Sequence, residues 1–191
     1  MPLELSTRDE SYTFYAYRDS FQPSSLDLEQ DQKYESDSCR RKKNVDSRYN
    51  CYGHCFASGL GWVGSKRETQ ENVKIFMLGE QDIEIDNEFN ARKILVGNSW
   101  RKLLEINYEI DEPIKKPISA LHPGDIVTYS RSSVGQVEHV GILVDETLGN
   151  GILAQSKVLS KFGMGGEFIH PISINVLTNL FPIVEIWGDR I

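Results

Sequence analysis

The chain has 191 residues, enough for one domain whose core hides about 70% of the unfolded surface. Apolar residues make up 39% and charged residues 26%, and no apolar run reaches the roughly 18 residues that a membrane helix needs. Lys and Arg number 21 against 28 Asp and Glu, and the net charge of −7 argues against a general nucleic-acid binder.

Residues 1–48 read as a polar arm or extension, with the charged stretch SLDLEQDQKYESDSCRRKKNVDS and few apolar positions. The aromatics of SYTFYAYRDSF alternate loosely and suit a short strand or an extended arm lying on the core. NCYGHCFASGLG, residues 50–61, reads as a helix. Asn50 is its cap, and Cys51, Cys55 and Ser58 fall on one face at i, i+4 and i+7. QENVKIFML and NEFNARKILV are further helix candidates, and WRKLLEINYEI suits either a strand or a continuing helix. After Pro113 the pattern changes to short strands: DIVTYS, VEHVGILVD, NGILAQSKV, GEFIHPI and IVEIWG, with LGNG at 148–151 as a hairpin turn. Helices followed by an antiparallel sheet predict an α+β domain over residues 49–191.

The MPLELSTRDESY start lacks the basic and apolar regions of a signal peptide, and three cysteines make no disulfide framework. A reducing compartment is expected, in the cytoplasm or after delivery without a signal peptide. Cys51 and Cys55 with His54 lack a second ligand pair at zinc spacing, so neither a metal nor a cofactor is expected.

Cys51 is the candidate nucleophile. At the first turn of a helix, free backbone N–H groups favour the thiolate and are expected to lower its pKa. Gly53 leaves the surface beside the sulfur bare, and Cys55, one turn deeper, reads as a packed thiol. Of the four histidines, His54 points to another helix face, and His122 lies in a loop before Pro123-Gly124. His139, alone among the apolar residues of VEHVGILVD, is the candidate base. It would accept the thiol proton and pass it to a leaving amine. This role requires its imidazole to reach the Cys51 sulfur. A third group that orients the base needs only an acceptor; Gln155 and His170, on the next strands, are the two candidates. Trp62, Trp100, Trp187, Tyr129 and Phe162 read mostly as core aromatics.

The succession NCYGHCFA, HPGDIVTY, EHVGILVD and NGILAQS resembles the papain-like cysteine peptidases and amidases of the NlpC and CHAP type. The resemblance covers about residues 49–190 through short motifs. It implies a papain-like core, a cysteine helix packed on an antiparallel sheet. Cys51 then matches the nucleophile, Gly53 its following glycine, and His139 the base. Pro123, Gly124 and Asp125 match the strand-opening motif, in which the Asp is structural. Gln155 falls on the polar third position, with the Cys51 amide in the oxyanion hole. Tyr52 departs from the Ser or His usual after the cysteine. SKFGMGGEFIH resembles a pattern of some bacterial relatives and keeps His170 as the alternative third residue. The implied activity is hydrolysis of an amide, peptide or isopeptide bond through a thioester. The same fold can also serve an acyltransferase, a deamidase, a thioesterase or a non-catalytic binding module. The implied partner is a peptide or amide substrate, with no nucleic acid and no membrane.

Overall fold

The computed structural model describes residues 2–6, 11–15, 32, 34, 39–44, 49–56, 62–63, 91–97, 99–110, 121–144, 156–162 and 166–189. Ten strands and three helices follow in chain order among them: β1 (Pro2–Ser6), β2 (Ser11–Tyr15), β3 (Arg40–Lys43), α1 (Cys51–Phe56), β4 (Trp62–Val63), α2 (Ala91–Gly97), β5 (Arg101–Asn107), β6 (Ile126–Ser130), β7 (Val137–Leu143), β8 (Lys157–Lys161), β9 (Glu167–Pro171), α3 (Asn175–Thr178) and β10 (Ile183–Gly188). Helix and sheet are mixed, and the sheet dominates. Seven strands form one antiparallel sheet in the order β3-β9-β8-β7-β6-β10-β5, and β1, β2 and β4 form a smaller one.

The strands after Pro113 form where β-branched and aromatic residues cluster between turn residues. His122-Pro123-Gly124-Asp125 makes the turn into β6. Gly124 has φ of 98°, a conformation that favours glycine, and the Asp125 carboxylate accepts the His122 N–H at 2.8 Å. Leu143 closes the turn against β7, accepting from the Gly124 N–H and donating to the Asp125 carbonyl. Gly141 on β7 lies so close to β8 that a Cβ there would come within 2.4 Å of Val158 Cγ1 and 2.6 Å of Ser160 Oγ. The LGNG turn and the 70–78 helix candidate lie outside the described residues, and the 87–96 candidate is seen from Ala91. WRKLLEINYEI resolves as a strand, because β5 pairs with β10 along its length. Part of the segment read as an arm belongs to the main sheet. β3 pairs with β9, and Cys39 beside it is fully buried in the core.

Strand alternation divides the sheet into two faces. One carries Val127, Tyr129, Leu143, Val158, Phe168, Ile172, Val184 and Ile186 in the larger core. Fully burying each such side chain contributes about 1.5–3 kcal/mol. The other face carries the helices: Cys51 and Tyr52 of α1 pack with Ala91, Val137 and Val140, and Leu95 of α2 packs with Ile126 and Trp187. Trp187 and Tyr129 are thus core residues as their type predicts, and Trp100 packs at the edge of the α2 cluster.

Candidate active site

The site is built at the start of α1. Asn50 caps the helix: its Oδ1 accepts the Gly53 N–H at 2.8 Å, and its carbonyl accepts the His54 N–H at 2.8 Å. Gly53 therefore serves the cap and is itself buried. Tyr52 fixes the helix to the sheet by donating its hydroxyl to the Val137 carbonyl. Cys51, the first helical residue, sits against β7 with the Val140 N–H facing its sulfur.

The thiol does not behave as its helical position predicts. Burial pushes the Cys51 pKa up to about 11, against the N–H groups of Val140 and Tyr52, the charge of Lys161 and the residue's own N–H, which all favour the anion. Desolvation was invisible from the helix start alone, and it outweighs the local donors. Cys55 is pushed well above its ordinary value, first by burial and then by the charges of Cys51 and Glu167.

His139 lies one residue before Val140, so the two side chains leave β7 on opposite faces. Its register partner is Tyr129, and its ring stacks on Phe162 with centroids 5.1 Å apart. No hydrogen bond joins the Cys51 sulfur to this imidazole among the described residues. Among the described residues, the Nε2 atom of His139 is buried without a hydrogen-bond partner. Burial, reinforced by His170 and His54, lowers its pKa to about 3, so the ring is neutral.

The two candidate third residues fare differently. Gln155 lies outside the described residues. The β7–β8 register, which pairs Gly141 with Ser160, brings Phe162 across from His139 when continued by two residues. His170 is fully buried rather than a surface residue before Pro171. Its Nδ1 donates to the Pro171 carbonyl at 2.8 Å, so its Nε2, 2.7 Å from Ser160 Oγ, accepts the serine proton. Both nitrogens are engaged, and the Phe162 ring adjoins both His139 and His170. Burial lowers the His170 pKa to about 4, with the Pro171 carbonyl opposing and Lys157 adding to the shift. His122 is exposed, and Asp125 is the turn-forming residue described above.

A polar cluster that pattern reading missed flanks Cys51 on the helix side. Glu167 of β9 takes the Tyr49 hydroxyl and lies 3.4 Å from His54 Nδ1 and 3.8 Å from Lys43 Nζ. Lys43 also donates to the Tyr49 hydroxyl at 2.7 Å. Lys161 of β8 is fully buried, with its ammonium 4.9 Å above the Tyr49 ring. His54 faces Glu167, and its Nε2 is buried without a hydrogen-bond partner among the described residues. Its pKa is lowered by burial, with Glu167 opposing. The one available signal in the sequence was SKFGMGGE, where a lysine and a glutamate interrupt an apolar pattern at strand spacing.

Among the described residues no three His, Cys, Asp or Glu side chains converge in a metal-binding arrangement. No described helix is long and apolar enough to cross a membrane. Comparison with protein-family models, with curated proteins and with solved structures gives no match.

Proposed function

We propose that this chain is a papain-like cysteine hydrolase that cleaves an amide, peptide or isopeptide bond through a thioester on Cys51, with His139 as the base. The observation that carries the reading is the seat of Cys51. A buried thiol opens a side-chain-capped helix, and the strand N–H that faces its sulfur belongs to the residue next to His139. A cysteine helix lying on one face of an antiparallel sheet supports the papain-like arrangement.

The resting state follows from burial. A thiol near 11 and an imidazole near 3 are both neutral, so no ion pair stands preformed. The proton therefore leaves sulfur as the sulfur attacks the substrate carbonyl, and the imidazole takes it. Collapse of the tetrahedral intermediate breaks the C–N bond, and the imidazolium protonates the departing amine. Water then releases the acyl group from sulfur. His139 leaves β7 on the face away from α1 and stacks on Phe162 there, so its role as base requires the imidazole to reach the Cys51 sulfur from the other side of the strand, which the histidine variants below test.

One observation favours a second reading of the base. His54 shares the helix with Cys51, faces the same side of the sheet, and has Glu167 3.4 Å from its Nδ1 while its Nε2 is unpartnered. Helical side chains lean back over the preceding turn, which brings residue 54 toward residue 51.

Reaction with p-nitrophenyl acetate tests both. The expected result is a hydroxylamine-sensitive acetyl group on Cys51, absent in Cys51→Ala and formed slowly in His139→Ala. A defect in His54→Ala with none in His139→Ala moves the base role to His54. Equal acetylation of Cys39, Cys51 and Cys55, unchanged in either histidine variant, refutes the hydrolase reading. Acyltransferase, deamidase and thioesterase activities share the thioester and differ in the acceptor, whereas a binding module forms none.

A further inference from the structure

A lysine with no exposed surface is rare, because removing an ammonium from water is costly unless something in the protein answers its charge. Lys161 is such a residue. It follows Ser160, whose register partner Gly141 adjoins Val140, and the Val140 N–H faces the Cys51 sulfur. It also lies on the helix side of β8, and its ammonium sits over the ring of Tyr49, two residues before Cys51. Its register partner on β9 is Glu167, whose carboxylate already serves Tyr49, His54 and Lys43.

We propose that Lys161 is a positioning residue of the Cys51 site, a buried counter-charge that stabilises the sulfur once its proton has left. The inference rests on Cys51 as the reacting group, but its effect is on the thiol itself, whatever the substrate. The groups facing that thiol are few. α1 brings His54 and Cys55, β8 brings Lys161, β9 brings Glu167, and β3 and the approach to α1 bring Lys43 and Tyr49, while His139 of β7 points to the other face of the sheet. Both histidines have lowered pKa values, so the permanent cations of the group are Lys161 and Lys43, and Lys43 is half exposed. A buried charge acts on its neighbour through a lower effective dielectric than an exposed one, so of the two cations Lys161 is the one that acts on the Cys51 anion, after the N–H groups of Val140 and Tyr52.

The experiment follows the rate of Cys51 alkylation by iodoacetamide against pH in the full chain, by peptide mass mapping, with Cys39 and Cys55 as internal references. In the step, the thiolate displaces iodide from carbon, and the thiol proton passes to buffer. Lys161→Met is expected to move the Cys51 profile upward by about one pH unit, which is about ten-fold slower labelling at a fixed pH below the midpoint. Lys161→Arg is expected to restore most of the rate. Circular dichroism and melting confirm that each variant is folded. Lys161→Gln is read the same way if the methionine variant does not fold. A folded Lys161→Met or Lys161→Gln variant whose Cys51 profile matches the parent overturns the inference, as does an equal shift of Cys39. The hydrolase reading fails separately: acetylation by p-nitrophenyl acetate is then not selective for Cys51, whereas the labelling shift persists.

Discussion

Two buried ionic clusters lie on the helix side of the sheet, and they are finished to different degrees. Glu185 on β10 is fully buried, and every charge near it is answered. Its carboxylate meets Arg92 Nε at 2.7 Å, the Thr128 hydroxyl at 3.1 Å and Lys102 Nζ at 3.2 Å. Arg92 spends its remaining donors on Ser130, the Ser132 carbonyl and the Gly135 carbonyl. The cluster ties α2 to β10, β6 and the turn before β7, and it leaves no atom of Glu185 or Arg92 over. Around Cys51, in contrast, His54 Nε2 and, through the sheet, His139 Nε2 are buried with no hydrogen-bond partner among the described residues.

Substitutions should separate the two clusters cleanly. The largest effect expected is on chemistry. Cys51→Ala abolishes thioester formation, by three orders of magnitude or more, and leaves the melting temperature nearly unchanged. A Cys51→Ala protein that still forms the adduct erases the contrast. His139→Ala is expected to slow acylation by roughly 10²–10⁴-fold, the usual range for a lost general base. Next comes Glu185→Ala, which strands Arg92 and is expected to cost about 3–5 kcal/mol in urea unfolding while the folded fraction still labels at Cys51. Lys102 is 40% exposed, so Lys102→Ala should cost no more than about 1 kcal/mol.

Acid should act on the opposite face. His139 and His170 are held neutral with folded pKa values near 3 and 4, below the usual 6.5. Between those values and 6.5 the unfolded chain binds more protons than the native one. Stability is therefore intact above pH 6.5 and falls as the pH drops toward 3, by up to about 1.4 kcal/mol per pH unit for each ring. Urea midpoints from pH 7 to 4 should show this slope, and His139→Leu should remove about half of it. An unchanged slope in that variant would mean that the ring is not held neutral. The smallest and most selective effect is expected of Gln155→Ala, which lowers turnover with no change in melting if that residue orients His139.

Much of the architecture was legible. The start of α1 was readable because Asn50 is a good cap and Gly53 follows at the position whose N–H the cap accepts. The strands from β6 onward were readable because Val, Ile and aromatic residues alternate between turn residues, and Asp125 announced itself by following Pro-Gly. Three things were not legible, all for the same physical reason: they depend on which elements meet across the sheet. A register shift between Tyr129 and Ser130 in the β6–β7 pairing puts Val137 and Val140 on one face and His139 on the other. No local pattern reveals that. The meeting of Lys161 and Glu167 beneath α1 depends on the pairing of β8 with β9. The Cys51 pKa was predicted from the helix alone, and the desolvation that reverses its direction comes from the strands beneath.

β3 has one more consequence. Pairing with β9, it supplies the last row of the seven-stranded sheet, and it brings four consecutive basic residues, Arg40, Arg41, Lys42 and Lys43, to that margin. A chain trimmed to begin at residue 49 would leave β9 with bare amide and carbonyl groups and no such basic fringe to repel a like strand. Shortened forms are therefore expected to stick to one another, whatever becomes of the chemistry at Cys51.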